Sequence, residues 1–261
     1  MKAKNSSRIA VYTVITGDYD KINELKFKSK DLRYICFTNS RDLVSKSWEI
    51  IYIDESLDNH MLNRKLKLFP YKYIKDVDVS LYVDGNIIIK KDLSGFFEKY
   101  ITTDLVAAFP EHMDRNCLYE ESQICIEQKK DKAEVISAQM RAYREEGFPS
   151  GYGLYENNII LRNHHSDGMK ILMENWWEEL NNKSKRDQLS LCYCIWKNKT
   201  IVSTLHESSR KKNDYFDIAL HNAYKEKNVI RRFVIKIDMN KHKNIFYKAL
   251  NLGLSILRKL K

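Results

Sequence analysis

Asp84 and Asn86 flank Gly85 between two apolar runs, Leu81-Tyr82-Val83 and Ile87-Ile88-Ile89. Two oxygen ligands two positions apart, where a buried strand breaks, can both turn toward one hard cation. The carboxylate brings charge and the amide a neutral carbonyl oxygen, a pair that suits Mg²⁺ or Mn²⁺ carried on a diphosphate. Asp-Gly-Asn is also ordinary turn chemistry within a hairpin, so the tripeptide alone does not choose between a site and a turn. Three further groups bear on that choice. The opening apolar run ends in Thr16-Gly17-Asp18-Tyr19-Asp20, where Thr13, Asp18 and Tyr19 are the polar candidates for holding a nucleoside. Arg64, Lys65 and Lys67 can neutralise a diphosphate, or form a solvated basic face. Arg186-Asp187-Gln188 opens an apolar stretch, and Asp187 is there either a helix cap or a carboxylate aimed into a cleft.

The elements that must position these residues follow from periodicity. Residues 8–15, 33–38 and 48–53 read as short strands rich in β-branched and apolar side chains. Over 61–75 the period changes, because Leu62, Leu66, Phe69 and Tyr73 fall on one helical face, with Pro70 dividing it. After the Asp84 strand come a helix over 92–100, a strand over 104–109, a helix over 132–146 and a strand over 157–161. A helix over 167–180, a buried helix over 186–197 and a last strand over 200–205 complete the pattern. Strands alternating with helices predict an α/β layered fold on a mostly parallel sheet, whose ligands bind at the carboxyl ends of the strands. Both 16–20 and 84–86 stand at such ends.

Composition narrows the class. With 261 residues, 43% apolar and 31% charged, the chain can bury one large core. No apolar run nears the length of a membrane span, and the five cysteines form no metal-finger spacing. A cytoplasmic chain with reduced thiols is the expectation. The net charge of +10 is concentrated: 225–261 holds eleven Lys or Arg against Glu226 and Asp238. The body is therefore close to neutral, and aromatics are not interleaved as nucleic-acid binding requires. This divides the chain into 1–228, the expected catalytic unit, and 229–261, a basic amphipathic tail suited to the inner face of an anionic membrane.

Taken in order, these motifs resemble glycosyltransferases of the A-type fold that use nucleotide sugars. The layout is similar to that of glycogenin and the lipopolysaccharide galactosyltransferases, with a nucleotide strand, an Asp-x-Asp-like motif and an Asp-Gln helix start. It is more closely similar to the glycosyltransferase-like domain family of plant mucilage and cell-wall proteins and of bacterial polysaccharide loci. Matching stretches include 11–20, Cys36-Phe37-Thr38, 63–73, 81–86, Glu146-Gly147-Phe148-Pro149, 153–156, Arg162, His164, Trp176-Trp177 and 186–190. The resemblance implies a single Rossmann-like mixed sheet flanked by helices. It implies Asp84 and Asn86 as the Mn²⁺ or Mg²⁺ site with a C-terminal histidine as third ligand, His221 first and His206 second. Arg64, Lys65 and Lys67 would contact the diphosphate, and Asp187 and Gln188 would face sugar and acceptor. Glu156 and His164 would lie near the sugars. The implied activity is hexosyl transfer from a nucleoside-diphosphate sugar, UDP-sugar favoured, to a glycan or lipid-linked glycan in bacterial surface polysaccharide synthesis. If the Asp-Gln analogy holds, configuration is retained; if Asp187 or Glu156 deprotonates the acceptor, it is inverted. Asn86 departs from the Asp of the usual motif and lowers the site's charge by one. Two rival readings stay open: a nucleotide-sugar-binding protein without turnover, and a metal-dependent nucleotidyl or phosphoryl transferase.

Overall fold

The computed structural model describes residues 8–17, 19–225 and 227–259. Ile9–Ile15 (β1), Leu32–Thr38 (β2) and Glu49–Tyr52 (β3) run parallel along one side of a seven-stranded sheet. Asn59–Leu68 (α1) and Pro70–Tyr73 (α2) lead to Val79–Val83 (β4), which returns parallel to β1. Asp58 caps α1 by accepting the Met61 amide at 2.9 Å. Pro70 divides the helical pattern and stands in the first turn of α2, where its missing N–H is harmless.

Ile87–Ile89 (β5) leaves the large sheet, and Ser94–Tyr100 (α3), Ala107–Pro110 (β6), Leu118–Glu127 (α4) and Ala133–Glu145 (α5) follow. Ile159–Asn163 (β7) then inserts antiparallel between β4 and β6. Next come Asp167–Asn182 (α6), a 3-10 turn at Asp187–Leu189, Leu191–Lys197 (α7) and Ser203–Leu205 (β8). The sheet order is β3-β2-β1-β4-β7-β6-β8, a mixed sheet flanked by helices. Phe216–Ile218 (β9) pairs antiparallel with β5 as a separate ribbon. Asn222–Lys225 (α8), Val229–Asn240 (α9) and Ile245–Lys259 (α10) end the described chain.

Alternation along β1 fills two cores, one on each face of the sheet. Ala10, Tyr12 and Val14 pack with α1 and α4 to α7, whereas Val11 and Ile15 pack with β5, α3 and β9. All five cysteines are free and buried. One expectation needs correction. The helix expected over 186–197 is broken at Ser190, because the Asp187 backbone is tied into a tight turn. Residues 118–127, for which no element was expected, form α4, whose Leu118, Tyr119 and Cys125 face the core. The basic tail is a hairpin of two helices.

Candidate active site

Asp84 directly follows β4, and Asn86 directly precedes the ribbon strand β5, so the Asp84-Gly85-Asn86 turn joins the two sheets. The Asp84 amide donates to the Asn158 carbonyl at 2.9 Å, keeping β4 paired with the β7 side up to its last residue. A Cβ on Gly85 would stand 3.4 Å from Asp20 Cβ and Ile15 Cγ1, ordinary contact. Asp20 therefore lies directly against the turn. Its Oδ2 is 2.7 Å from His221 Nδ1, and its Oδ1 accepts the Asn222 amide at 3.2 Å. His221 Nε2 in turn lies 3.1 Å from Asn86 Nδ2, which also donates to the Ala219 carbonyl at 3.0 Å. Asp20, Asn86 and His221 thus meet on the turn that follows Asp84, with Tyr19 across the imidazole at 5.0 Å between ring centroids. Among the described residues no three His, Cys, Asp or Glu side chains are grouped to hold a metal by themselves. The set Asp84, Asn86 and His221 is one carboxylate, one amide and one imidazole, which leaves places for phosphate oxygens and water. A carboxylate behind the imidazole is also the usual support of a metal-binding histidine.

A second network adjoins the first. Tyr12 and Arg162 hold the last turn of α1 through the Lys67 carbonyl, at 2.7 Å each. That fixes Lys67, whose side chain is 2% exposed and whose Nζ lies 2.8 Å from Asp187 Oδ2 and 3.7 Å from Asp84 Oδ1. Arg64 reaches Asp187 Oδ1 at 3.5 Å. Trp176, fully buried, donates from Nε1 to the Asp187 carbonyl at 2.9 Å and pins the turn. Burial alone would push the Asp187 carboxyl up, but Arg64, Lys67 and Arg186 outweigh it and hold it well below the usual carboxylate range. The Tyr82 hydroxyl donates to Asp84 Oδ1 at 2.6 Å, and burial beside that carboxylate keeps it protonated.

Other expected residues go elsewhere. Lys65 is drawn to Glu55 at 2.5 Å, and so turns away from the cluster. Glu156 is buried with Ser208 on Oε2 at 2.8 Å and Arg210 Nε 3.0 Å from Oε1. Burial raises its carboxyl above the ordinary range, and its further charged neighbours are Asp114 and His242, not Asp84. Gln188 donates to the Tyr155 carbonyl at 3.3 Å. Thr13 is enclosed in β1 with no partner for its hydroxyl, and Asp18 lies outside the described residues. His206 is exposed beside α3, where its amide donates to the Tyr100 hydroxyl, and is not brought to Asp84. His164 is a core histidine bonded to Ser80 at the opposite end of β4, its ring pushed down to about 4, chiefly by burial.

A family model described as TOD1/MUCI70, glycosyltransferase-like domain, matches residues 39–221. The chain belongs to this family. The matched range takes in Asp84, Asn86, Asp187 and His221 and begins after β1. Among solved structures the chain is similar to apo mouse xyloside xylosyltransferase 1, at 12% identity and a TM-score of 0.46, over 78% of this chain and 87% of that one. It is also similar to the apo glycosyltransferase GlyE of Streptococcus pneumoniae TIGR4, at 12% identity and a TM-score of 0.45, over 78% of this chain and 46% of that one. No curated protein matches the chain.

Two residues of this glycosyltransferase-like domain escaped the sequence reading. Asp20 carried a signal, as the second acid of Asp18-Tyr19-Asp20, but nothing local told it from Asp18. Asn157 carried none beyond its neighbour Asn158. It is 8% exposed, beside the Asp84–Asn158 pairing, and both atoms of its amide are buried without a partner. Buried polar groups are rarely left so.

Proposed function

We propose that the chain transfers a hexosyl group from a nucleoside-diphosphate sugar, UDP-sugar favoured, to a glycan acceptor. The observation that carries this reading is Asp84, at the carboxyl end of β4, standing beside the Lys67–Asp187–Arg64 network on the turn whose Asn86 meets His221. Asp84, Asn86 and His221 would hold Mn²⁺ or Mg²⁺, which when bound stabilises the charge that develops on a leaving diphosphate. Arg64, beside Asp187 and carrying a buried Nε with no partner, is placed to add positive charge to the same group.

Retention of configuration is the better-supported course. Inversion needs a general base that can take the acceptor proton. Asp187 is held ionised by three cations and so has little basicity, and Glu156 is hydrogen-bonded to Ser208 and ion-paired with Arg210. With neither carboxylate free, the leaving phosphate is left as the group that receives the proton. Asp187 then acts by holding Lys67 and Arg64 in place. The acceptor we favour is a lipid-linked glycan of bacterial surface polysaccharide synthesis, reached at the cytoplasmic leaflet through the C-terminal hairpin. The test is a panel of nucleoside-diphosphate sugars with Mn²⁺ or Mg²⁺, read by thermal shift and by slow donor hydrolysis. One donor should give both signals, in a metal-dependent manner. A shift with no hydrolysis under any acceptor would favour a binding protein, and silence across the panel would overturn the reading.

A further inference from the structure

Asp20 joins segments that lie far apart in the chain. Its Oδ2 is 2.7 Å from His221 Nδ1, its Oδ1 accepts the Asn222 amide, and its Cβ packs against Gly85 between Asp84 and Asn86. The side chain is 11% exposed, so these partners have little competition from water. The bonds around His221 also fix where its proton sits. The Ala219 carbonyl is an acceptor only, so the Asn86 atom facing it is the amide nitrogen. That nitrogen can only donate to the other atom it meets, His221 Nε2. Nε2 therefore carries the lone pair, and Nδ1 carries the hydrogen that it donates to Asp20. Tyr19 and Tyr224 flank the ring at 5.0 and 6.1 Å between centroids and limit its rotation.

We propose that Asp20 is a positioning residue that holds His221 in the Nδ1–H form, with the Nε2 lone pair aimed at the Asp84–Asn86 turn. Its use in metal binding rests on the metal reading given above; the positioning itself rests on the hydrogen bonds alone. Replacing Asp20 removes the acceptor of the Nδ1 hydrogen and leaves the donation from Asn86 as the other contact that favours this tautomer, so the preference weakens and a larger share of the imidazole presents no lone pair to the turn.

The test has two readouts on the full chain. Nitrogen-15 NMR of histidine-labelled protein at pH 8 reports the tautomer of His221, with His221→Gln used to assign its signals. Wild type should show the hydrogen on Nδ1, and in Asp20→Ala that preference should weaken measurably with the other histidine signals unchanged. Asp20→Asn, which keeps the shape and one acceptor oxygen, should recover part of it and serves where the alanine variant fails to fold. The affinity for Mn²⁺ in the presence of UDP, by titration calorimetry, should fall about 10- to 100-fold in Asp20→Ala. An Nε2–H form in wild type, or an unchanged tautomer in both variants, would overturn the proposal. If wild type takes up no Mn²⁺ with UDP, the metal reading falls, and the NMR result still decides whether Asp20 positions His221.

Discussion

At the scale of single residues, the site divides into groups that face a ligand and groups that hold them. Asp84 is of the first kind, since its side chain is 31% exposed and only one of its oxygens meets Tyr82 and Lys67. Asp84→Ala should lower donor turnover by roughly three orders of magnitude, the usual effect of losing charge stabilisation on a leaving group. The fold should remain, because the backbone bond to Asn158 does not involve the side chain. Unchanged steady-state kinetics at saturating metal would remove Asp84 from the site. Asp187 is of the second kind. Asp187→Asn leaves Lys67 enclosed with one distant carboxylate, and breaking a buried ion pair from one side costs about 3 kcal/mol or more. Urea unfolding should show that loss together with reduced turnover. Normal stability in the variant would mean that Lys67 finds another partner.

At the scale of elements, the informative piece is the linker between α9 and α10. Asp114 accepts Lys241 at 2.8 Å and His242 at 2.6 Å, His242 forms a bridge with Lys211, and Lys243 meets Asp217 in β9. The hairpin is thus fastened to the same ribbon that follows Asn86 and precedes His221. Burial alone would raise the Asp114 carboxyl, but Lys241 and His242 more than offset this and hold it at about 2. A carboxyl lowered on folding stabilises the native state above its unfolded value, near 3.8, and that contribution fades as pH falls toward 2. Asp114→Asn should therefore melt below wild type at pH 6, with the gap closing between about pH 4 and pH 2. A gap that stays constant over that range would show that the carboxylate charge plays no part in the fastening.

At the scale of the whole molecule, the C-terminal hairpin breaks the pattern of the rest. Ile237 of α9 is buried, whereas Ile245 is 85% exposed and Phe246, Leu252, Ile256 and Leu257 are also open along α10. From residue 239 to the end there are six Lys or Arg and no acid. No described helix is long and apolar enough to cross a membrane. An exposed apolar face in a segment whose sequence is basic would suit the headgroup region of an anionic bilayer, which gives about 1 kcal/mol per unpaired basic residue near the surface. The full chain should float with vesicles containing anionic lipid at low salt and stay behind with neutral ones. Leu252→Glu with Ile256→Glu should abolish flotation without changing donor hydrolysis. If instead wild type is a dimer that these substitutions split, with no vesicle binding, the face belongs to a second copy of the chain.

Local pattern determined much of this. Period two and period 3.6 mark most strands and helices, because each reports which side of one element meets a core. The strand break at Asp84-Gly85-Asn86 and the concentration of charge after residue 225 are likewise properties of neighbours in sequence. Only the tertiary structure decided which residues meet. Asp20 and His221 are 201 positions apart, and Lys67 and Asp187 are 120 apart. Their contacts depend on β4 lying beside β1, on α1 packing over that pair, and on β9 returning to β5. The same dependence explains the misreadings. Lys65 and Lys67 look alike in sequence, but two positions on a helix point them to different sides, one to Glu55 and the other to Asp187. His164 and His221 are both isolated histidines, and the direction of β7 carries the first to the far end of the sheet from Asp84. Patterns of near neighbours fix elements, whereas a site is made by contacts whose partners no local pattern names.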